Sequence, residues 1–212
     1  MTSRFHERNK FNAFTMLELI VIVAIVCVCF ALLISVAIKA HAKQQRISCA
    51  VNLKFLGSGY RLSSTEGKEA SSWQVRSNLV STNFVGLMRL YFAGTNQINP
   101  RIFACPADSR KPTTNWATLS RTNVSYFISL NAFEMLPQQF LAGDRNIMTN
   151  GTQVQPGLVA LSSQSDMSWD DTMHRFRGHV LMGDGSVQQS SSALLREQWT
   201  NRGVSSVTLA VP

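Results

Sequence analysis

Residues 19–38 form an unbroken apolar run of twenty, with Ser35 the single polar side chain and no charge. At about 1.5 Å of rise per residue such a run makes a helix of about 30 Å, the thickness of a bilayer's hydrocarbon core. The run is rich in β-branched Val and Ile. In lipid, however, backbone groups must be satisfied within the segment, so helix wins over strand. The run exceeds the apolar core of a cleaved secretory signal, about 7–15 residues. Glu18 stands at its edge. A carboxylate at the bilayer centre costs about 2.5–3.5 kcal/mol on insertion scales, less near the interface, and a plain anchor gains nothing from it.

Ahead of the run, residues 1–13 carry Arg4, Arg8 and Lys10 against Glu7, a net +2, and end in the small residue Ala13 before Phe14-Thr-Met-Leu-Glu18. This arrangement resembles the amino-terminal signature of type IV prepilins and type II secretion pseudopilins. The resemblance implies a leader over 1–13, cut between Ala13 and Phe14 by a prepilin peptidase that N-methylates Phe14. It implies a helix over 14–65, spanning the bacterial inner membrane at 19–38, and a periplasmic globular domain over 66–212. Ala13 departs from the family's usual Gly, which implies slower cutting. Glu18 would neutralise the freed amine of a neighbouring subunit as helices pack into a filament. Lys39, Lys43 and Arg46 follow the span and balance the leader's charge, so orientation rests on the cleavage motif rather than on the positive-inside count.

The formal charge is +8, leaving about +6 once the leader is removed. The basic residues are scattered singly, without the clustered stripe of a nucleic-acid binder, so no nucleic-acid partner is expected. Of the four cysteines, Cys27 and Cys29 lie in the apolar run as small filler. Cys49 and Cys105 fall on the side expected to be oxidising and form a candidate disulfide pair, which their spacing alone does not establish.

Further on, Asn52, Leu53, Lys54, Leu56 and Gly57 match part of a C-x-N-N-L-K-Q-L-G stretch, and Phe103-Ala-Cys105-Pro106-Ala-Asp108 matches an F-x-C-P-A-D element. His174, nine residues, then Asp184-Gly185 completes a third. All three resemble a subgroup of pseudopilin-like proteins of planctomycetes and verrucomicrobia. The family's His after Asp-Gly is Ser186 here. Pro106 favours an extended Cys105, either buried or bridged, and Asp108 suits a side-chain cap on the next turn.

Elsewhere the pattern is structural. Ile47, Ala50 or Val51, Leu53 or Lys54, Leu56 and Tyr60 recur at helical spacing as a packing stripe, which Gly57 and Gly59 weaken near its end. Residues 84–92 read as a short buried helix and 124–130 as a central strand. Polar residues with Pro137, Gly143 and Gly151 make 131–155 a surface excursion. Residues 158–161 read as a short strand, and 179–182 with 186–189 as a hairpin closed by Gly183-Asp184-Gly185. Asp166 and Asp184, with Asp170 and Asp171, are candidate oxygen ligands for Ca²⁺, though no EF-hand spacing is present. Residues 192–199 read as a closing helical turn ending in Trp199, and 203–212 as an edge strand added to the domain or to a neighbouring subunit.

The fold expected is α+β and pilin-like: a long amino-terminal helix packed on a small antiparallel sheet with long loops. The function expected is that of a structural pseudopilin subunit, not an enzyme, whose partners are the peptidase, other pseudopilins and the inner membrane. The alternatives are a type IV minor pilin and a membrane-anchored periplasmic domain that never polymerises.

Overall fold

The computed structural model describes residues 15–65, 85–86, 88, 98–130, 132 and 136–212. The chain divides into two compact units, Met1–His41 and Ala42–Pro212. One helix, α1 (Met16–Thr65), contributes to both. In the first unit α1 is long and apolar enough to cross a membrane, and its large apolar side chains from Met16 to Ile38 stand 44 to 77% exposed. Ser35 turns its hydroxyl onto the Leu32 carbonyl at 2.8 Å, so that donor is answered within the helix.

The second unit is built on a six-stranded antiparallel sheet. Its strands are β1 (Tyr126–Ser129), β2 (Phe140–Asp144), β5 (Gly157–Ser162), β7 (Arg177–Met182), β8 (Val187–Ser191) and β9 (Ser206–Val211), in the order β5-β9-β1-β2-β7-β8. A three-stranded sheet, β4-β3-β6, is formed by β3 (Ile147–Thr149), β4 (Thr152–Gln153) and β6 (Met167–Trp169). A second helix, α2 (Ser192–Thr200), is capped by the Ser191 hydroxyl.

In the middle of the large sheet, at β1, β2 and β7, both faces are buried, and strand alternation divides the core in two. Tyr126, Ile128 and Leu181 face a cluster with Cys49, Leu53 and Leu56 of α1 and Phe103 and Cys105 of the following segment. Phe127, Val180, Leu209 and Val211 face the other, with Trp169 of β6 and Leu195 and Trp199 of α2. With both sides covered, β1 and β2 are buried at every position rather than at alternate ones.

Several expectations need correction. The segment 131–155 is not a surface excursion: it contains β2, all five residues of which are buried, together with β3 and β4. Gly143 suggests a turn in the sequence; here it leaves room for the Phe127 ring, which lies 2.7 Å from where its Cβ would stand. Residues 206–211 are not an edge strand, since β9 pairs with β5 on one side and β1 on the other. The helix stripe is also rephased. Cys49, Leu53 and Leu56 are buried, whereas Ile47, Val51 and Phe55 stand 55, 44 and 55% exposed. Gly57 is buried within α1 because a Cβ there would come within 2.9 Å of the Leu181 side chain, so it sets the helix-to-sheet approach. In the expected helix 84–92, Val85, Gly86 and Met88 are helical and Met88 is buried; the other residues lie outside those described.

Candidate functional site

Three motifs far apart in the chain converge on one buried polar nest. Cys49 enters on the inner face of α1, and Cys105 on the loop after a 3-10 turn at Pro100–Phe103. The two are joined as a disulfide with Cα atoms 5.1 Å apart. Asn52 Nδ2 donates to the Ala104 carbonyl at 3.1 Å and Gln45 Nε2 to that of Pro106 at 3.2 Å, so the loop is held to α1 on both sides of the bridge.

His174 meets the bridge from the other side, its Nε2 3.3 Å from Cys105 Sγ. It gets there through a left-handed turn: His174, Arg175 and Phe176 have φ of 52, 53 and 59°. For L-residues that conformation costs about 1–2 kcal/mol each, so it persists only where its surroundings fix it. Asn146 does so, its Nδ2 lying 3.2 Å from the carbonyls of Asp170, Met173 and Arg177, which bracket the turn.

The fourth member is Asp144, at the end of β2 and wholly buried. Its Oδ2 accepts from the His179 backbone N–H at 2.7 Å and from His179 Nδ1 at 2.9 Å, and lies 3.5 Å from His174 Nε2. The imidazoles of His174 and His179 meet edge to face, centroids 4.8 Å apart. Burial pushes the His174 pKa below its ordinary 6.5, an effect that Asp144 partly offsets. Burial, reinforced by the Asp144 charge, pushes the Tyr126 phenol well up, so that side chain stays neutral.

Asp144, His179 and Asn146 carry no motif signal in the sequence: Asp144 and Asn146 belong to the polar stretch 131–155. His179 was legible in principle, because in a hairpin arm alternation puts it on the same face as Leu181.

The remaining motif residues shape the backbone. Asp108 caps the turn after Cys105-Pro106 and accepts two hydrogen bonds from Arg145, each 2.7 Å. Burial pushes its carboxyl up, but Arg145, helped by Ser125 and the Arg110 backbone, holds it below the usual 3.8. Asp184 and Gly185 close the β7–β8 turn, with Asp184 Oδ1 accepting from Ser186 N at 2.8 Å and Gly185 at φ +80°. Arg61 of α1 donates to the Asp184 carbonyl. The nine residues between His174 and Asp184 thus hold the rest of the left-handed turn, the six residues of β7 and Gly183, and the element touches α1 or its bridge at three levels: His174 on Cys105, Leu181 on Gly57, Asp184 on Arg61.

Asp166 is ion-paired with Arg196, and Asp170 accepts from Thr172 and Gln153. Among the described residues, neither Asp166 nor Asp184 belongs to a cluster of three metal-ligating side chains; those clusters are Cys49–Cys105–His174 and Asp144–His174–His179. Ala13 and Phe14 lie outside the described residues. Glu18 closes a capping box at the start of α1: its carboxylate faces the Thr15 N–H at 3.4 Å, and its own N–H donates to the Thr15 hydroxyl at 3.3 Å.

A cleft of about 500 Å³ opens beside the nest, with Asn52 and Cys105 in its wall and Arg101, Arg110 and Lys111 around it. Comparison of the chain with protein-family models, curated proteins and solved structures finds no match.

Proposed function

We propose that this chain is a pseudopilin-like filament subunit, cut between Ala13 and Phe14 and N-methylated at Phe14 by a prepilin peptidase, then assembled with other pseudopilins by helix packing in a type II secretion-type pseudopilus. The observation that carries this reading is the order basic leader, Ala13, Phe14, Glu18 and apolar helix in a single chain. Two features of α1 support it. Its apolar first part is unburied within the chain, and beyond the span Ile47, Val51 and Phe55, four residues apart and so on one face, also stay exposed. A helix with such surfaces suits packing against copies of itself. On this reading the globular unit faces the periplasm, and the protein works as a part rather than as a catalyst.

Glu18 has a local duty as a cap and a proposed intermolecular one as the acid facing a neighbour's Phe14 amine. Glu18→Gln separates them, because Gln also closes a capping box but carries no charge. This variant should insert and fold normally yet enter filaments poorly, as read by shearing and immunoblot. Incorporation at the wild-type level would remove the assembly role from Glu18. Mass spectrometry of the native protein tests the whole reading: a mature chain beginning with N-methyl-Phe14 is expected. A chain retaining residues 1–13 would mean a membrane-anchored domain that does not polymerise.

A further inference from the structure

The nest contains more ligating capacity than a disulfide needs. Five metal-ligating side chains meet in it, in two groups that share His174, and within each group the donor atoms lie within 4.8 Å of one another. Asp144 is wholly buried, and its Oδ1 has no hydrogen-bond partner. Zinc bound tetrahedrally by sulfur at about 2.3 Å and by nitrogen or oxygen at about 2.0 Å sets its ligands roughly 3.3–3.8 Å apart. Two distances of that size are present, both on His174 Nε2: Cys105 Sγ at 3.3 Å and Asp144 Oδ2 at 3.5 Å. The sulfurs and the carboxylate belong to separate groups of three, so closing one site requires the opened bridge to move toward Asp144. A third such distance, Cys49 to Cys105, forms when the bridge is opened. His179 occupies an outer position, its Nδ1 fixing the carboxylate at 2.9 Å. The left-handed turn that brings His174 in is a strained backbone of the kind found at ligand clamps.

We infer that the dithiol form of this chain binds one zinc ion through Cys49 Sγ, Cys105 Sγ, His174 Nε2 and an Asp144 carboxylate oxygen. The disulfide and the metal are alternative ties between α1 and the Cys105 loop. A dithiol reductant delivers two electrons and two protons to the S–S bond and itself becomes a disulfide; zinc then displaces the two thiol protons. In the reverse direction, a disulfide oxidant takes two electrons from the thiolates and two protons from water, leaves as two thiols, and zinc is expelled as the S–S bond re-forms. This inference does not rest on the filament reading.

The test uses the full chain in detergent, anaerobically, reduced with a phosphine and titrated first with Co²⁺ and then with Zn²⁺. Expected are one Co²⁺ per chain with intense tetrahedral visible absorption and a thiolate charge-transfer band, both lost on adding zinc, and neither present in the oxidised chain. X-ray absorption of the zinc form should count two sulfur and two nitrogen or oxygen neighbours. His174→Ala should lose the tetrahedral spectrum with both thiols intact, and His179→Ala should keep it with affinity lowered about tenfold. The inference is overturned if the reduced chain, folded by the near-ultraviolet signal of Trp169 and Trp199, shows no tetrahedral cobalt. It is equally overturned if the reduced chain stays unfolded with zinc present, if X-ray absorption finds no sulfur, or if His174→Ala leaves the spectrum unchanged.

Discussion

The two ends of α1 put similar side chains to opposite uses. Before His41 its Leu, Ile and Val side chains are exposed throughout; after it, Cys49, Leu53 and Leu56 are buried against the sheet while Ile47, Val51 and Phe55 on the same turns are not. Hydrophobicity therefore does not decide which face of the second part packs. What decides is the anchorage: a disulfide at Cys49, close approach at Gly57, and Arg61 on the β7–β8 turn. The first part needs only a solvent that tolerates it, whereas the second needs particular atoms at particular places.

The sharpest way to break this contrast is to cut the anchor. Cys49 and Cys105 are separated by 56 residues, and chain-entropy arithmetic for a loop of that length gives about 4 kcal/mol. The double Ser variant should lose roughly that much in chemical denaturation of the Ala42–Pro212 unit, measured without added metal. Next, Leu53→Ala should cost about 3 kcal/mol by cavity formation, while Leu33→Ala, exposed in the first unit, should leave the same transition unmoved within about 0.5 kcal/mol. Equal losses from both would erase the distinction. Gly57→Leu should cost about 1–3 kcal/mol by overpacking against Leu181.

The smallest effect is on pH dependence. Burial lowers the His174 pKa below 6.5 in the folded chain, so below 6.5 the unfolded chain takes up a proton that the folded one resists. Its contribution to stability should be complete above 6.5, decline as pH falls toward the lowered folded value, and then level off. His174→Gln should flatten that segment of the profile. Asp108 behaves as a depressed carboxyl: its contribution is complete above 3.8 and lost as pH falls through its lower folded value, and Arg145→Gln should remove it.

The elements legible in the sequence were those with strong local signals. The long helix was expected over 14–65 and is observed at Met16–Thr65, and the Asp-Gly turn places β7 and β8 as expected. The strand over 124–130 is β1, in the sheet interior, and the turn ending in Trp199 is α2. β2 escaped because a five-residue strand buried on both sides has no alternation, and Gly143, there to admit an aromatic ring, looks like a turn signal. β9 is an interior strand rather than an edge, which its sequence alone does not state, because one strand's residues do not say how many neighbours pair with it. For the nest, Cys49, Cys105 and His174 were each singled out by motif, yet nothing in their spacing joined His174 to the sulfurs or brought in Asp144.

By itself the sequence determined the membrane-length helix, the charge at its entry, the turn chemistry and the class of fold, because each follows from the order and periodicity of residues close together in the chain. Only the tertiary structure decided which face of α1 packs, that the chain's last strand closes the sheet from within, and that a carboxylate, two imidazoles and two sulfurs share one buried space. Those outcomes depend on contacts between residues some 35 to 125 positions apart, from Asp144–His179 to Cys49–His174, and burial and ion pairing act through distance in space rather than along the chain.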